Sequence, residues 1–236
     1  MSMPGNSKST LHDLNRRIVD CQRCPRLRNF CDCVAKEKRR AFIDWSYWGK
    51  PVPGVGDPNA LVLIIGLAPA AHGGTRTGRM FCGDSSGDWL VNALFQTGFA
   101  NQPTSTYRED GLELKRVYLT AVVRCAPPLN KPERSEIENC LPYMAEELRI
   151  LKNVQVVLTL GRTAFDSFLK VARICYGLRI TPRPRFRHGA LYELGDGLPR
   201  LRVSYHPSRQ NTQTGKLTWS MWLRTFRLIQ SELINC

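Results

Sequence analysis

The chain has 236 residues, 42% of them hydrophobic, and carries 34 Lys and Arg against 20 Asp and Glu, a formal net charge of +14. That much apolar material builds a full core, which excludes a disordered or fibrous chain, and no stretch approaches the ~18 consecutive apolar residues of a membrane span. Residues 1–10 are largely polar and lack the apolar segment of a secretory signal, so they predict a disordered tail ahead of a single domain over 11–236 in a cytoplasmic protein.

Along the chain, Leu11, Leu14 and Ile18 recur at helical spacing. The run LVLIIG at 61–66 is short, apolar and closed by glycine, the pattern of a strand buried on both faces. Residues 117–123 and 154–160 repeat it, the latter followed by Gly161, and 201–205 alternate as a fourth strand that ends at His206. Helices are predicted between and after the strands, over 85–96, 132–151 with Glu in its first turn, 162–172 and 218–233. Strand alternating with helix predicts an α/β fold, a three-layer α/β/α sandwich around a central, mainly parallel four-stranded sheet. Ligands of such sheets bind outside the carboxyl ends of the strands, so 67–84, 124–132, 161 onward and 206–216 should carry the chemistry.

The positive charge is concentrated. Residues 16–40 hold nine Lys and Arg against three Asp and Glu, and residues 171–209 hold eight against two. A polyanion binder needs such stretches, because each neutralised phosphate releases counterions. A solvated basic face that binds nothing is the plain alternative. The arginines 179, 183, 185 and 187 fit either a second DNA-binding strip or an exposed loop.

The first of the strand-end segments, GLAPAAHGGTRTGRMFCGD at 66–84, is rich in small residues that let the backbone approach a ligand. It lacks the lysine of a phosphate-binding P-loop and the G-x-G-x-x-G spacing of dinucleotide enzymes. The last segment, HPSRQNTQTGK at 206–216, is polar, free of acids and rich in short donors, which suits a phosphate backbone and base edges. Cys21 and Cys24 form C-x-x-C, while Cys125 and Cys140 stand fifteen residues apart. These two pairs make one thiolate set, for zinc or iron-sulfur. Cys21, Cys24, Cys31 and Cys33 make a rival local zinc site, and spacing leaves both readings open.

Four stretches in order, YWGKPVPG at 47–54, GLAPAAHG at 66–73 continuing to Gly83-Asp84, RCAPPLNKP at 124–132 and HPS at 206–208, resemble the family 5, or B-type, uracil-DNA glycosylases. The likeness runs over about residues 21–217. It implies an α/β/α sandwich holding a 4Fe-4S cluster on Cys21, Cys24, Cys125 and Cys140. Cys31, Cys33, Cys82, Cys175 and Cys236 are then non-ligands.

An enzyme acting on a base in a duplex extrudes the nucleotide, stacks the base on an aromatic ring and reads its polar edge. The resemblance assigns the stacking ring to Phe81, with Gly66 and Ala68 beside the base; on the residues alone Phe81 is a core phenylalanine. His206 matches the histidine that donates to the base oxygen as negative charge develops there. Asp84 matches the acid that orients the attacking water, and as Gly83-Asp84-Ser85-Ser86 it also reads as a helix N-cap. Residues 68–71 offer no polar side chain, a mark of the B-type branch. Ala121 stands where many superfamily members carry an asparagine that reads the base edge, so the pocket should tolerate hypoxanthine and other deaminated bases as well as uracil.

On the DNA side, Ser208 and the loop through Lys216 should grip phosphates, with Arg209 or Gln210 filling the space vacated in the stack. Lys131 and Arg124 should add phosphate contacts. The expected protein is thus a monomeric, monofunctional uracil-DNA glycosylase, a hydrolase of N-glycosidic bonds with a structural cluster and no membrane association. A lyase would need a Schiff-base lysine in the Gly-rich or His-Pro-Ser motif, and Lys216 lies ten residues beyond His206. The alternatives are a non-catalytic iron-sulfur protein binding damaged nucleic acid and a zinc-site nucleic-acid adaptor.

Overall fold

Residues 10–177 and 181–234 are described by a computed structural model. The expected tail, apart from Thr10, lies outside the described residues, as do Arg179 and Cys236. The first element is α1 (Leu11–Val19), opened by a reciprocal cap in which Thr10 Oγ1 accepts from the Asp13 amide and the Asp13 carboxylate accepts from the Thr10 amide. Then come α2 (Pro25–Glu37), β1 (Val55–Gly56), β2 (Val62–Gly66), α3 (Gly74–Thr77) and α4 (Ser85–Gln96). β3 (Val117–Ala121), α5 (Arg134–Ile150), β4 (Val156–Leu160) and α6 (Arg162–Tyr176) follow. The chain closes through β5 (Leu191–Tyr192), β6 (Arg200–Ser204), α7 (Arg209–Gln213) and α8 (Trp219–Ile234).

The sheet order is β1-β3-β2-β4-β6-β5. β3, β2, β4 and β6 pair in parallel and form the expected four-stranded centre, while β1 and β5 add short antiparallel edges. Every residue of β2, β3 and β4 is buried, as their unbroken apolar runs require. Successive residues point to opposite faces. Leu63, Ile65, Val157, Leu201 and Val203 pack under α5 and α6, where Met144, Leu148, Phe165 and Phe168 cover them. Val62, Ile64, Leu119, Val156 and Leu158 pack under α4 and α8, against Leu90, Leu94, Trp222 and Phe226. The result is the predicted three-layer sandwich.

After β2 the chain moves to β3 on one side, then crosses back to β4 on the other. The carboxyl end of β2 is therefore the point where the winding reverses and a crevice opens. Gly66, its last residue, pairs with Ala121 at the end of β3.

Three helices depart from the sequence reading. α2 carries Leu27, Cys31 and Val34 inward, but its charges and cysteines mask that periodicity. α3 and α7 are single short helices inside segments expected as loops. Among the described residues no helix is long and apolar enough to cross a membrane.

Candidate active site at the strand ends

Phe81 turns back over the end of β2. A side chain at Gly66 would place its first carbon 2.6 Å from the Phe81 ring, so only glycine permits this approach. Phe81 itself sits at φ +53°, a left-handed conformation that costs a bulky residue roughly 1–3 kcal/mol and is characteristic of ligand sites. The ring is half-buried rather than sealed in the core. Ala68 is half-buried beside it in sequence, and Ala121 is buried at the end of the neighbouring strand.

Asp84 is the N-cap of α4. One oxygen, Oδ1, accepts from the amides of Ser86 at 2.9 Å and Gly87 at 3.1 Å. The other, Oδ2, lies against Gly73, where any side chain would overlap it. Oδ2 makes no hydrogen bond among the described residues and remains available to a water. Burial pushes the Asp84 carboxyl above its ordinary range, opposed by the Gly87 and Ser86 amides and by the charge of Arg76. Capping and a free carboxylate oxygen thus coexist in one residue.

His206 stands two residues past β6 and beside Gly161, the residue that ends β4. Its backbone carbonyl accepts from Asn211 Nδ2 at 2.8 Å, which fixes the turn into α7. Burial lowers its pKa to about 4, so the imidazole is neutral at pH 7 and offers one N–H donor. Ser86 Oγ donates to the Pro207 carbonyl at 3.2 Å. That bond ties the start of α4, with Asp84, to the His-Pro-Ser turn.

Arg76 was not expected here. Its guanidinium lies between the rings of Phe42 and Trp45, 4.0 Å from each centroid. Nε donates to the His72 carbonyl at 2.8 Å and an Nη to the Gly83 carbonyl at 3.3 Å, so the side chain spans the Gly-rich loop. Tyr47 pairs with His72 Nδ1 at 3.0 Å, and the amides of Trp48 and Gly49 bond the carbonyls of Arg76 and Thr75. The YWGKPVPG motif is thereby the outer wall of this loop. Two aromatic residues in a strongly basic stretch were the available sequence signal.

On the DNA-facing side, Ser208 caps α7, accepting from the Asn211 amide at 3.4 Å. Arg209, Gln210, Lys216 and Lys131 are exposed, and the Lys216 ammonium lies 5.0 Å from the Tyr205 ring. Arg124 is corrected. It is 1% exposed and pairs with Glu147 at 2.6 Å, so it reaches no phosphate. Arg183 bonds Asp166, beside a cavity of about 630 Å³ between α5, α6 and residues 181–184.

Cys24, Cys125 and Cys140 belong to one buried cluster together with Cys31, and Cys140 lies within electrostatic reach of Cys24 and Cys21. Cys24 is the N-cap of the thirteen-residue α2, where the helix dipole favours a thiolate. Arg28 donates to Cys125 Sγ at 4.0 Å and Asn139 Nδ2 to Cys24 Sγ at 3.5 Å. The rival zinc set is not gathered: Cys31 is buried while Cys33, two positions on, faces away and is exposed. Among the described residues, no three His, Cys, Asp or Glu side chains form a group that could hold a metal ion.

A doubly covered parallel sheet whose strand ends bring together an aromatic ring, a neutral imidazole and a carboxylate suits a flat, polar ligand that must be polarised and hydrated. The model of the Uracil DNA glycosylase superfamily matches residues 53–228. A Type-5 uracil-DNA glycosylase of Thermus thermophilus is 49% identical over 206 residues, 87% of this chain and 90% of its own. One of Mycobacterium tuberculosis is 48% identical over 216 residues, 91% of this chain and 79% of its own. A Type-4 enzyme of Archaeoglobus fulgidus is 28% identical over 202 residues, 84% and 82% of the two chains. The chain belongs to the uracil DNA glycosylase superfamily, in its Type-5 branch.

Proposed function

We propose that the protein removes uracil from DNA by hydrolysing the N-glycosidic bond, as a monofunctional, monomeric glycosylase. The observation that carries this reading is the pairing of a neutral His206 with a half-free Asp84 carboxylate across the ring of Phe81. The extruded base stacks on Phe81 between the ends of β2 and β3. His206 donates a hydrogen bond to the uracil oxygen, and this bond strengthens as the C1′–N1 electron pair departs with the ring. Asp84 Oδ2 orients a water toward C1′ and offsets the positive charge of the sugar. The water oxygen bonds C1′, its proton passes to the carboxylate or to solvent, and free uracil and an abasic deoxyribose result. The non-catalytic alternative is not favoured, since a mere binding module has no need of a free carboxylate and a neutral donor at one bond.

Gly66, Ala68 and Ala121 bound the base with backbone groups and small side chains. With alanine at 121, discrimination rests on shape, and hypoxanthine and other deaminated bases fit the same reading. Ser208, Arg209, Gln210 and Lys216 contact phosphates on the β6 side and Lys131 on the β3 side. Each such contact adds salt-dependent affinity.

We further infer that Cys21, Cys24, Cys125 and Cys140 hold a 4Fe-4S cluster. A cubane asks each thiolate to bind a different iron, so its sulfurs stand farther apart than the ligands of one ion. The donors from Arg28 and Asn139 and the N-cap position of Cys24 fit anionic sulfur. Bound there, the cluster supplies a structural link between residues 21–24 and α5, and the hydrolysis runs on the side chains above. Iron and sulfide content, with absorption near ~400 nm that is lost in Cys24→Ser, tests this assignment.

Single-turnover cleavage of duplexes carrying one uracil, hypoxanthine or normal base tests the activity. Strand breaks that appear only after alkali are expected for uracil. Protein that binds DNA and leaves every base in place would overturn the reading.

A further inference from the structure

We infer that Leu129 is an apolar wedge that enters the duplex beside the extruded nucleotide and occupies the space it leaves; this rests on the glycosylase reading above. Leu129 is 85% exposed, well beyond the next large apolar side chains, Ile174 at 62% and Ile43 at 54%. Single exposed leucines are ordinary, but this one is also held in place by strained backbone. Leu129 (φ +54°) and Asn130 (φ +56°) are two consecutive non-glycine residues in the left-handed region. Three of the five such residues among those described, Phe81 with this pair, lie in segments leaving the strand ends. A bulky side chain kept in an unfavourable conformation and pointed at water is what a wedge awaiting a base stack requires.

The support beneath it is stiff. Pro127 and Pro128 precede it, and the amides of Asn130 and Lys131 bond the carbonyls of Pro127 at 3.1 Å and Pro128 at 3.0 Å. Arg26 donates to the Lys131 carbonyl at 3.3 Å and pairs with Glu136 at 2.8 Å, anchoring the far end to α2 and α5. The near end is fixed to the pocket, since the amides of Val122 and Val123 bond the carbonyls of Gly66 and Leu67. In the sheet order the Leu129 segment leaves β3 and α7 leaves β6, so the two flank the pocket at the end of β2. Duplex DNA is the partner of matching chemistry. Apolar side chains enter between bases and unstack them, and the exposed Lys131 and Arg134 beside Leu129 face a phosphate backbone. Arg209 and Gln210, expected to fill the stack, are the first two residues of a helix and carry polar ends suited to phosphates.

The test compares single-turnover excision of uracil from duplex and from single-stranded oligonucleotides by the full chain, wild type and Leu129→Ala. The duplex rate should fall roughly tenfold or more, the worth of one lost wedge contact, while the single-strand rate stays within about twofold. A pyrene nucleotide opposite the uracil fills the gap from the other strand and should restore the duplex rate of the variant. Leu129→Asn, which suits left-handed backbone, should behave like Leu129→Ala. Equal losses on both substrates, no loss on the duplex, or no pyrene rescue would each overturn the wedge, and the last two would leave Leu129 as a contact for a protein partner. Wild type inactive on both substrates would sink the glycosylase reading itself.

Discussion

Two arginine–carboxylate neighbourhoods leave the strand ends of this sheet and are built in opposite ways. Arg124 and Glu147 are sealed in the core at 1% and 0% exposure, 2.6 Å apart, with Thr120 Oγ1 donating to the same Glu147 oxygen at 2.7 Å. Arg76 and Asp84 are kept from pairing. The arginine is spent on two carbonyls and two aromatic rings, the aspartate on two amides, and one carboxylate oxygen is left over. A closed pair locks β3 to α5. A split pair leaves a charge to support the carboxylate and an oxygen to hold water, so the same two residue types serve structure in one place and chemistry in the other.

The largest effect should come from breaking the closed pair. Glu147→Ala leaves the Arg124 charge buried and unpaired, and should lower stability by roughly 3–5 kcal/mol. Urea denaturation measures it directly. Replacing both partners with apolar residues of similar volume, as in an Arg124→Met, Glu147→Leu double variant, should recover most of that loss. A single variant as stable as wild type would mean the pair is not sealed as described.

On the split side the loss should appear in rate instead. His206→Ala removes a donor aimed at the departing base and should slow the chemical step by roughly 10²–10³, with DNA binding nearly unchanged. Asp84→Asn keeps an N-cap and loses the charge, and should cost roughly 10² in rate while the melting temperature holds. A normal rate with lost stability would reduce Asp84 to a cap. Arg76→Met removes a cation whose field lowers the Asp84 pKa, so that pKa, already raised by burial, should climb further. The acid limb of the kcat/KM profile would then move to higher pH, and Arg76→Lys should move it back. An unmoved limb would show that Arg76 acts only as a brace for the loop.

How much of this was legible in the sequence follows from where each partner lies. β2, β3 and β4 were readable because burial on both faces leaves unbroken apolar runs, and α4 was readable to both ends because Asp84 caps it. The edge strands are two residues long and carry no period. The expectation that Arg124 would reach a phosphate failed because its partner lies 23 residues on, in the next helix, and nothing local announces a buried pair. The role of Arg76 was hidden for the same reason, since Phe42 and Trp45 come from an irregular segment far upstream. Asp84 and His206 were legible through motifs, but only the structure divides the Asp84 oxygens into one that caps and one that does not.

The smallest effect bears most directly on how the split side works. The folded pKa of His206, about 4, lies below the ordinary 6.5, because burial disfavours the charged ring. A histidine depressed in this way contributes stability that is complete above the unfolded pKa and is lost as pH falls toward the folded one. Between about pH 7.5 and about pH 5.5 that amounts to roughly 1 kcal/mol of wild-type stability. His72 and His188 are lowered too, also chiefly by burial, so wild type alone does not isolate the effect. His206→Gln does, because glutamine cannot titrate: its loss over the same interval should be smaller by about that amount. If both proteins lost the same stability, the folded imidazole would already carry its proton near neutrality. His206 would then meet the departing base as a cation, and catalysis would rest on its charge rather than on a neutral hydrogen bond set in place before the bond breaks.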